Sequence, residues 1–312
     1  LGCVMAGLLP PEWREPRRLV NAYLDDQPIL RVGVPHRSGA LCSEAYRAGM
    51  PVMVSASAYW LRDKGRFADD SPSPLLDCDF ALDSAGFTAM ANWKRQGHQP
   101  GMLGIFPWSL TDYLSLVGKL RPAWWSQGDA CCEPEVAGDQ AERSRRLEMT
   151  EAMLAASLIL VDRWQQAGAP WIAPPVPVLQ GWYPEDYLES LERMLRTWET
   201  NGRAFEPPAL VGLGSMCRRP ADDPEIGIMA VLDTLLPALP RGMKLHAFGV
   251  KSTAMARLAS IPEIASFDSM ALDVGARYQA LRDGGPNTLE RRGAVMREWY
   301  AKQCKHLAIA EA

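Results

Sequence analysis

Short apolar runs that stop at Gly, Asp or Ser, each followed by a longer segment of helical spacing, recur along most of this chain. The candidate strands are 30–34, 51–55, 80–83, 124–129, 176–180, 210–214, 245–249 and 264–268. They are short and apolar throughout, as parallel strands covered on both faces must be. Between them, 142–167 places Leu147, Met149, Met153, Leu154 and Leu158 at helical spacing, and 185–200 repeats Tyr187, Leu188, Leu191 and Leu195 after Pro184. Segments 224–236 and 252–259 open with Pro and Ser, residues that favour a first helical turn. Strands alternating with helices imply an α/β fold with a parallel sheet. Eight of them, without a GxGxxG or P-loop signature, predict a (β/α)8 TIM barrel. The segment after Asp268 reads as a C-terminal helical decoration, and no linker divides 1–312, so one domain is expected. Segments 72–74 and 97–104 read as extended loops.

The 312 residues are 47% hydrophobic and 22% charged, enough apolar material for a large core. No run reaches the roughly 18 apolar residues of a membrane span. The first ten residues are too short, and lack the basic flank, for a convincing leader, although Leu1-Gly2-Cys3 faintly resembles a lipoprotein site. Seven scattered cysteines with no C-x2-C pair argue against a disulfide framework or a zinc site, and favour a reducing cytoplasmic setting. Net charge is −4, which is low for a chain that grips phosphates. Basic residues are nevertheless clustered: Arg143, Arg145 and Arg146; Arg218 and Arg219; and Arg282, Arg291, Arg292, Arg297, Lys302 and Lys305. Each cluster reads equally as a solvated helix face.

In a barrel, chemistry sits at the C-terminal strand ends. Those positions hold Asp83, Asp129, Gln180, the Gly212-Leu213-Gly214 turn, Phe248-Gly249 and Asp268. An isolated Asp there is commonly a helix cap. Three carboxylates and an amide at four strand ends are more than capping requires. The set suits a planar purine-like base. A carboxylate such as Asp129 accepts from adjacent N–H donors, and Gln180 offers both donor and acceptor. The backbone at Gly212 and Leu213 can approach a carbonyl closely, and Phe248 offers a stacking face. Asp268 is then free to attack an anomeric carbon.

These motifs resemble the tRNA-guanine transglycosylase superfamily. Asp83-Ser84-Ala85-Gly86-Phe87 is similar to its DSGGF, Asp129 with Cys131 to its Asp-x-Cys segment, and Val178-Leu179-Gln180-Gly181 to its VQG. Val211-Gly212-Leu213-Gly214 resembles its GGLA turn. Phe248-Gly249-Val250 resembles its MGVG, and Phe267-Asp268-Ser269 with Ala276-Arg277 its nucleophile segment. The matches keep family order over roughly two thirds of the chain. Only Cys304 follows Asp268, so the zinc subdomain of the tRNA enzymes is absent or rebuilt. The segments 127–134 and 215–219 look most like the DNA-modifying DpdA branch.

That resemblance implies exchange of guanine in DNA for a free 7-deazaguanine such as preQ0, without a cofactor or catalytic metal. It makes Asp268 the nucleophile and Asp83 the acid/base. Ser84, Gly86, Phe87, Asp129, Gln180, Gly181, Gly212, Leu213, Phe248 and Gly249 would bind the base. Arg218, Arg219 and Arg277 are candidates for phosphate contact, as are Arg291 and Arg292, with Trp182 as a stacking residue. A helper protein or a homodimer is a possible partner, and no membrane is expected. The alternatives are a compact tRNA enzyme, a glycosidic-bond hydrolase on the same carboxylates, and a silent nucleic-acid-binding subunit.

Overall fold

A computed structural model of the chain describes residues 27–68 and 74–307. Segment 1–10, with its Leu1-Gly2-Cys3, and most of the 72–74 loop lie outside these. Eight parallel strands form one curled sheet: β1 (Ile29–Val34), β2 (Val52–Ser55), β3 (Phe80–Asp83), β4 (Trp124–Trp125), β5 (Val178–Leu179), β6 (Leu210–Leu213), β7 (Lys244–Ala247) and β8 (Ile264–Ser269). Their order is β4-β3-β2-β1-β8-β7-β6-β5, so sequence neighbours pair and β1 joins β8. The two outermost strands, β4 and β5, meet at a single parallel bridge between Ser126 and Val176. There the Val176 N–H donates to the Trp125 carbonyl at 2.8 Å, and the Gln127 N–H to the Val176 carbonyl at 3.1 Å. The sheet is thus a curled, barrel-like one whose edge strands touch only at this bridge, not a fully closed (β/α)8 barrel. Pro175 and Pro177 flank Val176 and carry no N–H, which removes the donors a longer ladder needs.

Helices cover the outer face: α1 (Ala40–Arg47), α2 (Gly86–Gln96), α3 (Leu110–Leu120), α4 (Gln140–Gln166), α5 (Pro184–Asn201), α6 (Ile228–Leu235), α7 (Ser252–Ala259), α8 (Ala271–Arg282) and α9 (Leu289–Leu307). Period-2 alternation sorts the strand side chains into two cores. Val32, Val54, Leu82, Leu179, Val211, Leu213, Leu245 and Phe267 pack outward under the helices. Met53, Ala81, Trp124, Val176, Leu210 and Ala265 pack inward on the concave side. Capping fixes several helix starts. Asp139 accepts the Glu142 amide at 2.8 Å before α4, and Asp186 accepts the Trp182 and Tyr183 amides at 2.9 Å at the start of α5.

All eight expected strands form, but 124–129 and 176–180 pair over two residues each. The segment 224–236 is helical only from Ile228, because Asp223 folds the preceding residues into a turn by accepting the Glu225 and Ile226 amides. The segment 97–104 ends in a 3-10 turn, Met102–Gly104. Of the two helices after β8, α9 packs on α1, α7 and α8, and α8 reaches the cavity through Tyr278. Among the described residues no helix is long and apolar enough to cross a membrane.

Candidate active site

The concave side opens into a cavity of about 690 Å3 at the C-terminal strand ends. Asp83, Asp129 and Asp268 all line it, together with Gly86, Phe87, Glu133, Gly214, Ser215, Met216, Phe248, Gly249, Lys251 and Tyr278. Its floor is the top of the inner core. The His246 ring meets Trp124 edge-on at 4.9 Å and Phe248 at 4.6 Å. Gly212 makes room for this wall, since a Cβ there would fall 2.4 Å from the Phe248 ring.

Asp83 ends β3, and its Oδ2 accepts the Ala85 amide at 3.0 Å, which holds Ala85 at φ 74°. Burial, together with the negative charges of Asp129 and Asp268, raises its pKa to about 7. Asp129 follows β4 and accepts from the Ser84 hydroxyl at 2.8 Å and from Gln180 Nε2. Burial dominates here too and raises its pKa to about 6, against the two hydrogen bonds. Asp268, near the end of β8, accepts the Gly249 amide at 2.8 Å through Oδ1. So Asp83 makes a cap-like turn and still faces the cavity, whereas Asp129 is bonded by the Ser84, Gln180 and Cys131 side chains and by no helix N-terminus.

Gln180, Gly181, Ser84 and Leu213 are buried and do not line the cavity. Gln180 is committed at both ends: Nε2 donates to Asp129, and Oε1 accepts the Ser215 hydroxyl at 2.7 Å. Its bond to Asp129 helps fix where that carboxylate sits. Gly212 and Leu213 do not line the cavity either, and the Gly212 amide donates to the Pro177 carbonyl at 2.8 Å. The following residues, Gly214-Ser215-Met216, reach the cavity instead. Ser215 lies 3.0 Å from Glu133 Oε2, which extends the polar chain Asp129–Gln180–Ser215–Glu133.

Glu133, Ser215 and His246 were not picked out as site residues from sequence. Glu133 and Ser215 stand within the matched segments, and His246 is two residues before Phe248 on the inward face of β7, the one legible signal. Gly86 is required by proximity: a Cβ there would lie 2.7 Å from Asp129 Oδ1 and 2.8 Å from Oδ2. A Gly86→Ala protein should fold, yet displace this carboxylate and raise the KM for its ligand by about tenfold or more. Steady-state kinetics with varied ligand checks this.

Two cation assignments need correction. Arg219 is 1% exposed, and its guanidinium donates to the carbonyls of Gly181 (3.2 Å), Trp182 (2.7 Å), Ser215 (3.3 Å) and Ile226 (2.5 Å) and to the Tyr187 hydroxyl (3.2 Å). It ties the loops after β5 and β6 together and cannot reach a phosphate. Trp182 packs under it, its ring 4.5 Å from the guanidinium, and does not line the cavity. Arg219→Met should cost about 3 kcal/mol by orphaning those carbonyls. Chemical denaturation will measure it. Arg292 is likewise buried. Arg218 is exposed, pairs with Glu135 at 2.9 Å and lies 4.9 Å over Phe87 at the rim. Arg277 is exposed on α8, and Arg291 pairs with Asp283 at 3.0 Å. Among the described residues no three His, Cys, Asp or Glu side chains cluster as a metal site would require.

Residues 42–299 match the family described as DpdA, DeoxyPurine in DNA protein A. No curated protein matches the chain. The family match covers more than half of the 312 residues and contains Asp83, Asp129, Gln180 and Asp268. By that extent, and in keeping with the order of its strand-end motifs, the chain belongs to the DpdA family.

Proposed function

We propose that the protein is a DNA-guanine transglycosylase: a pentosyltransferase that exchanges guanine in DNA for a free 7-deazaguanine through a covalent Asp268–deoxyribose ester. It acts as one (β/α)8 barrel domain whose wall is completed at the Ser126–Val176 seam. The observation that carries this is the convergence of Asp83, Asp129 and Asp268 on one cavity with an aromatic wall. Family membership supplies DNA as the acceptor.

The target guanine must leave the base stack to reach the cavity, at a cost of a few kcal/mol. Asp268 attacks C1′ as the C1′–N9 bond breaks and its electron pair passes to guanine. Asp83, protonated, delivers its proton to the departing base. The 7-deazaguanine then enters, Asp83 as carboxylate takes its N9 proton, and N9 attacks C1′ to release Asp268. Both half-reactions balance, and the net change is one base for another. A carboxyl group with a pKa of about 7 suits both duties at neutral pH. Asp129, into which the Ser84, Gln180 and Cys131 side chains all donate, presents its remaining acceptor lone pairs to the N–H edge of either base. Phe248 offers an apolar face. Lys251, which lines the cavity, and Arg218, which lies over Phe87, are suited to phosphate contact, with Arg277 a further candidate on α8.

The test mixes purified protein and preQ0 with duplex DNA or unmodified tRNA, digests the nucleic acid and measures nucleosides by mass spectrometry. Deazaguanine among the deoxynucleosides is the expected result. Incorporation only into tRNA moves the acceptor, and guanine release without incorporation makes the protein a hydrolase.

A further inference from the structure

Asp268 is held unevenly. The Gly249 amide donates to Oδ1 at 2.8 Å, and His246 Nε2 stands 3.4 Å from that same oxygen. Among the described residues no bond to Oδ2 is seen. His246 is fully buried, and its other nitrogen, Nδ1, lies 2.7 Å from the Ser266 hydroxyl. A carboxylate only accepts, so a bond to it requires hydrogen on Nε2. Complete burial between Trp124 and Phe248 disfavours an imidazolium, which leaves hydrogen on one nitrogen only. Burial also lowers the His246 pKa, against the pull of Asp268. Ser266 then donates to Nδ1 and keeps the proton on Nε2. The 3.4 Å separation is long for a hydrogen bond, as such contacts often are before substrate closes the site.

Taking Asp268 as the nucleophile, and so resting on the function proposed above, we infer that His246 and Ser266 form a positioning pair that anchors Oδ1 and leaves Oδ2 as the oxygen that attacks C1′. Ser266 fixes the imidazole tautomer, the imidazole and the Gly249 amide fix the carboxylate plane, and the aromatic packing fixes the imidazole. His246 touches neither sugar nor base and acts through Asp268 alone. It also joins the nucleophile to the base wall, because the ring that orients Asp268 packs against Phe248.

The test is single-turnover formation of the protein–DNA adduct, with the incoming base withheld and the adduct separated on a denaturing gel. His246→Phe fills the space and removes the donor. It should slow adduct formation about tenfold to a hundredfold, the usual range for losing the outer partner of a functional ligand. The concentration of DNA giving half the maximal rate, and the melting temperature, should stay near wild type. His246→Gln keeps an N–H donor and should recover part of the rate. Ser266→Ala leaves the tautomer free and should give an intermediate loss. Adduct formation by His246→Phe within twofold of wild type overturns the proposal, as does equal slowing of the Phe and Gln variants in step with a lowered melting temperature. A wild-type protein that forms no adduct overturns this proposal and the transglycosylase reading together, whereas the other failures leave that reading standing.

Discussion

An Asp268→Asn protein exchanges no base at a measurable rate: the expected fall is on the order of 10^4-fold or more, the scale seen when a nucleophile is removed from a preorganised site. An amide cannot form the sugar ester, although its oxygen can still accept from the Gly249 amide and His246, which both reach Oδ1. The substitution removes a charge from a cavity that already holds Asp83 and Asp129, so stability should be unchanged or improved. Nucleoside analysis after prolonged incubation, beside a melting curve, separates lost chemistry from lost fold. Turnover within tenfold of wild type removes Asp268 from the nucleophile's role.

Asp83→Asn should lower exchange by about 10^2- to 10^4-fold, the contribution of a positioned acid/base. Its pH signature is more telling. In the proposed mechanism the first half-reaction needs Asp83 protonated, so wild-type adduct formation should decline as pH rises through about 7. In Asp83→Asn that decline should vanish. Stability carries the same sign. The native group holds its proton up to about 7, while the unfolded chain releases it near the ordinary value of about 3.9. Between those values the native state binds more protons, so this group makes stability fall as pH rises, and the deficit persists above 7. Asp83→Asn should therefore melt higher than wild type at pH 8, by several degrees, and the two curves should converge near pH 4. A constant difference across that range would mean that the Asp83 carboxyl is not perturbed by its neighbours.

The strands were legible because parallel strands buried on both faces leave unbroken apolar runs, and the helices because their apolar spacing is regular. Strand length at the seam was not. The apolar run 176–180 looks like a full strand, but the prolines around Val176 withhold ladder donors, a property of pairing rather than of hydropathy. Asp83, Asp129 and Asp268 were legible as charged side chains at strand ends, and the structure brings all three to one cavity. Internal consumption of polar groups was not legible. Gln180 looks like a ligand reader and is held between Asp129 and Ser215; Arg219 looks like a phosphate contact and is enclosed by carbonyls. Sequence shows a residue's hydrogen-bonding capacity, and only the fold shows how much of it is already used. His246 was missed for the opposite reason, since an inward residue in a short strand looks like core until Asp268 is seen beside it.

The seam between β4 and β5 has a consequence for how a bound base would alter the protein. Asp129 hangs from one side of it and Gln180 from the other, and their hydrogen bond spans the place where backbone pairing is thinnest. A ligand that fixes Asp129 therefore acts as a rivet across the two outermost strands. By reciprocity, whatever tightens the strands also tightens the grip on the ligand. The amides of Gln127 and Val176 are the reporters. Their hydrogen exchange should slow when the base binds, more than that of amides in the β1–β8 pairing on the far side of the sheet.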